Sequence, residues 1–450
     1  MFSTSIDPND FLTLSSDSAM IQAAVDEAAK TGSAVVIPRV NKRTGKAIWN
    51  ISEAIKLYTG SAVYLDNCHL RLADGVFCNI FINSHLYTEK ALDIKGRQFD
   101  IRISGFGNAV LDGGEYNGCN APERQAKWWQ NSGIHFGNAE RVVVENLRMI
   151  NQRFWALTYH YCAYGRVSNI DFECVEKDRC LDGIDLRSGC HDFIIENLSG
   201  KVGDDMVALT NLPDADKSFG VIDGLSKDIH SVIIRNIKAK YTAQAAIIRL
   251  LNQGPGRQLY NILIDGIMDS TVNTPGDEWF WNKPAAAVLI GDTVVYGEKP
   301  ALGDIRGITV RNVITRARFG ILDRETLQDA LIEGIQLYDG AGPAACFVNS
   351  HAQNITLRDI QYGADSRLSE TERDYLGGFV SGSKLEKFSA VHFHNTKCDS
   401  LRIYNLTMGN GFDAVFSGVE SQVNLDITGL YNASGLPLVC GEGINVFGNR

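Results

Sequence analysis

The chain has 450 residues, of which 43 are Gly and only 10 are Pro, and its formal net charge is −10. This composition excludes collagen-like and Pro-rich disordered proteins. No Lys/Arg-rich block is present, which argues against a nucleic-acid partner. No run approaches the roughly 18 apolar residues of a membrane-spanning helix, so no membrane partner is expected. Divided by a usual domain length, the chain would hold about three domains.

The first 38 residues predict a helix followed by a strand. Ser16 suits the N-cap of a helix over residues 19–30, Gly32 suits its end, and residues 34–38 have the apolar pattern of a strand. An amphipathic helix at this place would cap the open end of a repetitive fold. Its predicted apolar face consists of Met20, Ile21, Ala24, Val25 and Ala28.

The N-terminus lacks the basic segment followed by an apolar stretch that marks a secretory signal. We therefore expect a cytoplasmic protein, with secretion left open if the native N-terminus was trimmed. The ten Cys include no CxxC pair, which favours buried free thiols in a reducing compartment. Cys174, Cys180 and Cys190 lie near His191, but their spacing fits no zinc-ligand pattern, so no metal site is predicted.

A short unit recurs through most of the chain. Each unit consists of an apolar residue, a polar residue, one Asn, Asp or Gly, and a second apolar residue, as in Val-Glu-Asn-Leu at 144–147. The positions of this Asn, Asp or Gly are Asn146, Asn169, Asn197, Asn236, Gly266, Asn312, Gly334, Asp359, Asn405 and Gly429.

The spacing of these positions indicates a solenoid. Most successive positions are 22 to 30 residues apart, and two steps are 46 residues, or twice 23. Each of the two long steps is predicted to contain a degenerate coil, near residues 288–291 and 379–382. A solenoid adds coils to one continuous core. We therefore expect one domain over residues 1–450, whose length counts coils rather than domains.

The residues of the unit decide the type of solenoid. Alternation of Val and Ile with polar residues predicts strands, and the apolar spacing that a helical repeat needs is absent. Asn, Asp and Gly accept positive φ angles, so each strand would bend at that position. Stacked coils would pair their strands in parallel. The sequence therefore predicts an all-β fold, a parallel β-helix with an N-terminal capping helix.

Acidic residues recur with the spacing of one coil. Asp182 and Asp204 are 22 residues apart, His160 lies another 22 residues upstream, and Asp205 follows Asp204. One coil of spacing would bring these side chains to one groove, whereas Asp185 is expected to be buried. Crowded carboxylates cannot all ionise, so one keeps a raised pKa beside ionised bases, as glycosidic cleavage requires. Turn-stabilising hydrogen bonds and Ca²⁺ binding are the alternatives.

Three segments resemble motifs of a known family. Residues 151–160 (Asn-Gln-Arg-Phe-Trp-Ala-Leu-Thr-Tyr-His) are similar to its Asn-Ser-Pro-x-Trp-x-x-His motif. Residues 181–185 (Leu-Asp-Gly-Ile-Asp) resemble its Asn-Thr-Asp-Gly-(Ile/Phe)-Asp motif, and residues 203–205 (Gly-Asp-Asp) resemble its (Gly/Gln)-Asp-Asp motif. The family is that of the polygalacturonases, glycoside hydrolase family 28, within the pectin-lyase-like superfamily. This resemblance implies a single-stranded, right-handed parallel β-helix and hydrolysis with inversion.

The same resemblance implies roles for the acids and shows where the chain departs from the family. Asp204 would be the general acid, and Asp182 and Asp205 would together activate water. Residues 242–249 contain no His where the family has Gly-His-Gly, and residues 287–290 contain neither Arg nor Lys where it has Arg-Ile-Lys. The residues expected to contact sugar are His160, Tyr159, Tyr161, Gln244, Arg249 and Trp129.

The leading hypothesis is an inverting glycoside hydrolase that acts on a galacturonan-like or related poly- or oligosaccharide, without a cofactor. A Ca²⁺-dependent polysaccharide lyase, with Arg249 or a Lys as the base, is the first alternative. A non-catalytic carbohydrate-binding β-helix is the second, but it leaves the spacing of the acids unexplained. The sequence leaves the sugar, the linkage and the oligomeric state open.

Overall fold

The computed structural model describes residues 5–114, 128–174, 180–241, 245–271, 281–292, 298–364, 369–380, 389–409, 413–433 and 435–448. The chain divides into two compact units: the first is Met1–Ala208 with Pro213–Val232, and the second is Leu209–Leu212 with Ile233–Arg450. The expectation of one domain over residues 1–450 stays a prediction. Among the described residues, no helix is long and apolar enough to cross a membrane.

The N-terminal helix forms where the sequence predicts it. Helix α1 (Asp17–Thr31) begins where the Ser16 side chain accepts a hydrogen bond from the Ala19 amide (3.1 Å), and it ends at Gly32, whose φ is 68°. All five residues of the predicted apolar face are buried. The structure also describes α2 (Pro213–Ser218), α3 (Glu370–Val380) and the 3-10 helices Pro8–Phe11, Glu89–Leu92, Ile94–Gly96 and Trp128–Asn131.

Strands make up most of the first unit. In chain order they are β1 (Ser5–Ile6), β2 (Ala34–Pro38), β3 (Ile48–Ile51), β4 (Ile55–Leu57), β5 (Ala62–Asp66), β6 (His69–Leu72), β7 (Phe81–Asn83), β8 (Gln98–Phe99), β9 (Arg102–Phe106), β10 (Val110–Asp112), β11 (Ile134–Gly137), β12 (Ala139–Glu140), β13 (Val143–Ile150), β14 (Leu157–His160), β15 (Arg166–Glu173), β16 (Ile184–Leu186) and β17 (His191–Lys201). Two further strands have residues in both units, β18 (Val207–Asn211) and β19 (Ile229–Tyr241).

The second unit is built in the same way. Its strands are β20 (Ile248–Asn252), β21 (Leu259–Asp269), β22 (Ala286–Ile290), β23 (Ile305–Thr315), β24 (Phe319–Asp323), β25 (Thr326–Gly340), β26 (Ala345–Val348), β27 (His351–Ala364), β28 (Ser389–His394), β29 (Lys397–Met408), β30 (Ala414–Val419), β31 (Gln422–Asn432), β32 (Val439–Gly441) and β33 (Ile444–Phe447).

Within each unit the strands form parallel ladders that join successive coils. In the first unit one ladder runs β2–β5–β9–β13–β15–β17 and another runs β4–β7–β11–β14–β16. In the second unit the ladders run β21–β23–β25–β27–β29–β31–β33 and β20–β22–β24–β26–β28–β30–β32. Parallel pairing of strands from consecutive coils confirms the predicted parallel β-helix.

The recurrent Asn, Asp or Gly lies at a bend in every case. All ten predicted positions have positive φ angles, between 53° and 86°. In the first unit their side chains also bond to each other along the coils, because Asn169 Nδ2 donates to Asn146 Oδ1 (2.8 Å) and Asn197 Nδ2 donates to Asn169 Oδ1 (3.0 Å). The Asn side chains of this ladder thus hydrogen-bond to each other at positions where the positive φ angle already favours Asn, Asp or Gly.

The hidden coils predicted in the two 46-residue steps are wrong. β21 pairs directly with β23, with Asp265 opposite Arg311, and β27 pairs directly with β29, with Arg358 opposite Tyr404. Residues 288–290 belong instead to β22 of the other ladder. Each long step is thus a single enlarged coil, because a solenoid accepts inserted residues between its ladders without losing strand register.

Replacing Asn169 with Ala should lower the free energy of unfolding by about 1–3 kcal/mol. The change removes two exposed side-chain hydrogen bonds and places Ala, which unlike Asn cannot hydrogen-bond locally, at a positive φ angle. Asn169→Gly keeps the backbone conformation and should cost about 1 kcal/mol, the net value of the two exposed hydrogen bonds. Urea unfolding of the whole chain measures both. An Ala variant as stable as the Gly variant would show that the positive φ angle adds no cost beyond the lost hydrogen bonds.

Candidate active site

Strands β14 and β16 define the face on which the candidate site is built. They pair with Leu157 opposite Ile184 and Tyr159 opposite Leu186. These four side chains are fully buried in the core. Because side chains alternate along a strand, Asp185 points to the opposite side of this sheet. The outward-facing positions of β14 and β16 therefore lie next to each other on neighbouring coils.

Three carboxylates converge just before two strands: Asp182 precedes β16, and Asp204 and Asp205 precede β18. One oxygen each of Asp182, Asp204 and Asp205 lies within 4.8 Å of the other two. The Asp205 amide donates to Asp182 Oδ1 (3.1 Å), and the Cys180 amide donates to Asp204 Oδ2 (2.7 Å). Asp182 and Asp205 are buried, whereas Asp204 is half-buried. Together with Asp185 these residues are called the Asp cluster below.

The register of the coils corrects the predicted column of acids. Leu157 pairs with Ile184, 27 positions later, so His160 does not lie level with Asp182. The Gly183 amide donates to the carbonyl of Asp205 (2.9 Å), which makes Asp205 the neighbour of Asp182 on the next coil. The predicted extension of the column to His160 is wrong, because the coil between β14 and β16 is longer than 22 residues.

Burial sets the protonation of the Asp cluster. Burial raises the pKa of Asp182 well above its ordinary value, and the charges of Asp185, Asp204 and Asp205 raise it further. Burial also raises the pKa of Asp185 well above its ordinary value, with Arg187 acting in the opposite direction. Burial therefore favours the protonated forms of Asp182 and Asp185, beside the half-buried Asp204. A proton donor next to carboxylates is the combination that acid–base catalysis needs.

A hydrogen-bonded chain of side chains ends at His160. His160 Nδ1 lies 3.0 Å from His135 Nε2, and His135 Nδ1 lies 3.0 Å from the hydroxyl of Tyr87. Burial lowers the pKa of His160 well below its ordinary value, and His135 and Arg187 add to this effect. His135 and Tyr87 were missed from the sequence. His135 lies opposite Thr158 of β14, 23 positions later. A spacing of one coil therefore indicates that the two strands pair, but it does not reveal the contact between His135 and His160.

The two tyrosines that flank His160 do not face a groove. Tyr159 is fully buried, and its ring packs against Phe136 and Phe193 at centroid distances of 6.0 and 5.2 Å. Tyr161 is also buried, with its ring 5.9 Å from that of Phe219. Neither ring is therefore available in this structure for the sugar contact predicted from the sequence, because Tyr159 alternates into the core and Tyr161 lies under neighbouring side chains.

The other predicted sugar contacts lie elsewhere in the chain. Arg249 belongs to the second unit, where its Nη1 donates to Asp292 Oδ2 (2.7 Å), and Arg324 Nη1 donates to the other oxygen of Asp292 (3.0 Å). Gln244 lies outside the described residues. The backbone of Trp129 belongs to the 3-10 helix Trp128–Asn131, and its side chain lies outside the described part of the structure.

Arg187 links the Asp cluster to helix α2. Its guanidinium Nη2 donates to Asp214 Oδ1 (2.5 Å), and its Cζ lies 4.7 Å from the centre of the Trp155 ring. Just after α2, the Phe219 ring stacks on His160 at 4.9 Å with an interplanar angle of 13°. Nothing in the sequence repeat indicates that residues 213–220 would cover His160, because the contact depends on how this segment itself folds.

Comparison with known proteins gives only distant similarities. No family model and no curated protein match the chain. Among solved structures, an exopolygalacturonase from Thermotoga maritima is 12% identical over 91% of this chain and 93% of its own, with a TM-score of 0.46. PfbA, a surface adhesin of Streptococcus pneumoniae, is 14% identical over 99% and 93%, with a TM-score of 0.49.

The A-module of the mannuronan C-5 epimerase AlgE4 from Azotobacter vinelandii is 15% identical over 99% of this chain and 100% of its own, with a TM-score of 0.46. The similar structures thus include polysaccharide hydrolases, an epimerase and an adhesin. At these identities and TM-scores the similarities do not distinguish among such activities, so the case for function depends on the site itself.

The raised pKa values of Asp182 and Asp185 predict that stability falls as pH rises. The folded state holds protons that the unfolded chain releases above about pH 4, so the free energy of unfolding decreases until the folded-state pKa is passed. Asp185→Asn, which is neutral at every pH, should flatten this decrease. The measurement is the thermal unfolding midpoint between about pH 5 and pH 8.

The matched control is Asp171→Asn, because Asp171 is exposed on β15 of the same unit. The pH dependence of its thermal unfolding midpoint should equal that of the unchanged protein. Burial also raises the pKa of Asp323 to about 6 and that of Glu325 to about 7 in the second unit, so only the difference between variants isolates Asp185. An Asp185→Asn variant with an unchanged slope would show that this carboxyl holds no extra proton.

Proposed function

We propose that this protein is a glycoside hydrolase that cleaves an O-glycosidic bond of a poly- or oligosaccharide. The observation that carries the proposal is the convergence of Asp182, Asp204 and Asp205, one oxygen of each lying within 4.8 Å of the others. A glycosidase needs one carboxyl group to protonate the leaving oxygen and another to act on water or on the sugar. The raised pKa of Asp182 within this cluster supports the same chemistry.

The exposure of the three side chains supports a division of roles. Asp204 is the proposed general acid, because it is the member of the three that solvent reaches most easily. Asp182 and Asp205 lie on adjoining coils, and two oxygens less than 4.8 Å apart can bond to the same water molecule. In this scheme Asp204 carries the proton that passes to the leaving oxygen, and Asp205, beside Asp182, accepts the proton that the attacking water loses. The resemblance to polygalacturonases supports these roles and an inverting outcome.

A Ca²⁺-dependent polysaccharide lyase is the second candidate. The same three carboxylate oxygens favour it, since Ca²⁺ binds such ligands. Chelation separates the two candidates: a hydrolase keeps its activity in EDTA, whereas a lyase loses activity that added Ca²⁺ restores and releases an unsaturated product.

Asp204→Asn should lower kcat by about 10²–10⁴-fold on any oligosaccharide that the protein cleaves, because the amide cannot protonate the leaving group. A panel of defined oligosaccharides, analysed for new reducing ends, supplies the measurement. Asp171→Asn again serves as the control and should retain full activity. Undiminished turnover by Asp204→Asn would exclude it as the acid. Binding without any turnover by the unchanged protein would favour the non-catalytic alternative.

A further inference from the structure

The three acids of the proposed reaction lie outside the paired strands. Asp182 lies between β15 and β16, and Asp204 and Asp205 lie between β17 and β18. The ladders therefore do not fix these connecting segments by strand pairing, although catalysis needs carboxyl groups placed to within a fraction of an ångström. Other contacts must hold the connecting segments in place.

One carbonyl oxygen joins three successive coils beside these acids. The carbonyl of Leu181, the residue before Asp182, accepts hydrogen bonds from the amides of Gly203 (3.0 Å) and Asp204 (3.3 Å) on the next coil. It also accepts a hydrogen bond from Nε2 of Gln152 (3.1 Å), which lies on the preceding coil between β13 and β14. The backbone that leads into Asp182 is thus bonded to the coils on both sides.

The position of this carbonyl influences the distance between two of the acids. The peptide group is planar, so the direction of the Leu181 carbonyl fixes that of the Asp182 amide nitrogen. The same oxygen bonds to the amide of Asp204, the proposed general acid. Movement of the Leu181 carbonyl would therefore change the separation of the Asp182 and Asp204 carboxyl groups.

Gln152 is not the residue that stability alone would favour at its position. It is 4% exposed, its Oε1 has no hydrogen-bond partner, and it lines a small cavity together with Leu72, Leu111 and Met149. A buried acceptor without a partner destabilises the folded state. An apolar side chain of similar length would remove that cost, and the Leu181 carbonyl would keep its two backbone donors. Such a conflict between stability and geometry is typical of residues that serve a site.

We propose that Gln152 is a positioning residue for the Asp cluster. It acts through the Leu181 carbonyl, by holding the segment before Asp182 against the segment that carries Asp204. Its side chain bonds to backbone rather than to a carboxyl group, so its effect on the chemistry is indirect. The polygalacturonase motif has Ser at this position, so the resemblance does not imply the contact. The inference rests on the proposed glycosidase function, because it concerns the same acids.

The test is Gln152→Met, which keeps the length of the side chain and removes both the donor and the unpaired oxygen. The substrates are cellohexaose, xylohexaose, mannohexaose and hexagalacturonate. On any of these that the unchanged protein cleaves, kcat should fall about tenfold, because small displacements of catalytic groups have effects of this size. KM should change less than about twofold, since the lost contact is with the acids' backbone and not with the sugar. The thermal unfolding midpoint should stay unchanged or rise.

The matched control is Gln98→Met, a change of the same kind in the same unit. Gln98 is 3% exposed and lies in β8. Its Oε1 accepts hydrogen bonds from Asn83 Nδ2 (3.0 Å) and from the amide of His85 (2.9 Å). The control should lower the thermal unfolding midpoint, because it leaves these donors unpaired, and it should leave kcat of the folded protein unchanged. The two variants are thus expected to show opposite patterns.

An unchanged kcat in Gln152→Met overturns the proposal. A fall in kcat together with a loss of stability like that of Gln98→Met also overturns it, because the residue would then serve the fold. If the unchanged protein cleaves no member of the panel, the proposed function fails, and crystal structures of both forms decide the positioning role. The carboxyl groups of Asp182 and Asp204 should then lie about 1 Å farther apart in Gln152→Met. An identical separation would refute the role.

Discussion

Parallel pairing between successive coils is the constraint on which the structure depends. Once a ladder fixes which residues are opposite each other, side chains far apart in sequence become neighbours with no freedom to slide. The bends maintain this register, because their positive φ angles require Asn, Asp or Gly at one place in each coil. The same rule that builds the core thus decides that Asp182 lies beside Asp205.

The Asp cluster destabilises the fold that contains it. Burial raises the pKa of Asp182 and that of Asp185, and acids packed this closely repel one another whenever more than one ionises. A hydrophobic pair at these positions would be easier to accommodate. Conflict between local stability and site geometry is typical of functional residues. It therefore supports assigning chemistry to the Asp cluster rather than to the many paired acids on the surface.

Sequence reasoning recovers whatever repeats and fails where the repeat is interrupted. The parallel strands, the ten bends and the N-terminal helix follow from periodicity and residue type and are present in the structure, whereas β21 pairs directly with β23, and β27 with β29, where hidden coils were predicted. The convergence of Asp182 with Asp204 and Asp205 is also visible as one coil of spacing. The register is less predictable, because coils differ in length: a few extra residues before β16 were enough to remove His160 from the expected column.

Contacts made by loops are invisible to such periodicity. The stacking of Phe219 on His160 depends on how residues 213–220 fold, and no spacing rule describes that fold. The distinction has a functional consequence, because the coils supply the acids while the inserted segments decide what reaches them. In this chain the segment between β18 and β19 covers His160, a contact that the coil repeat does not encode.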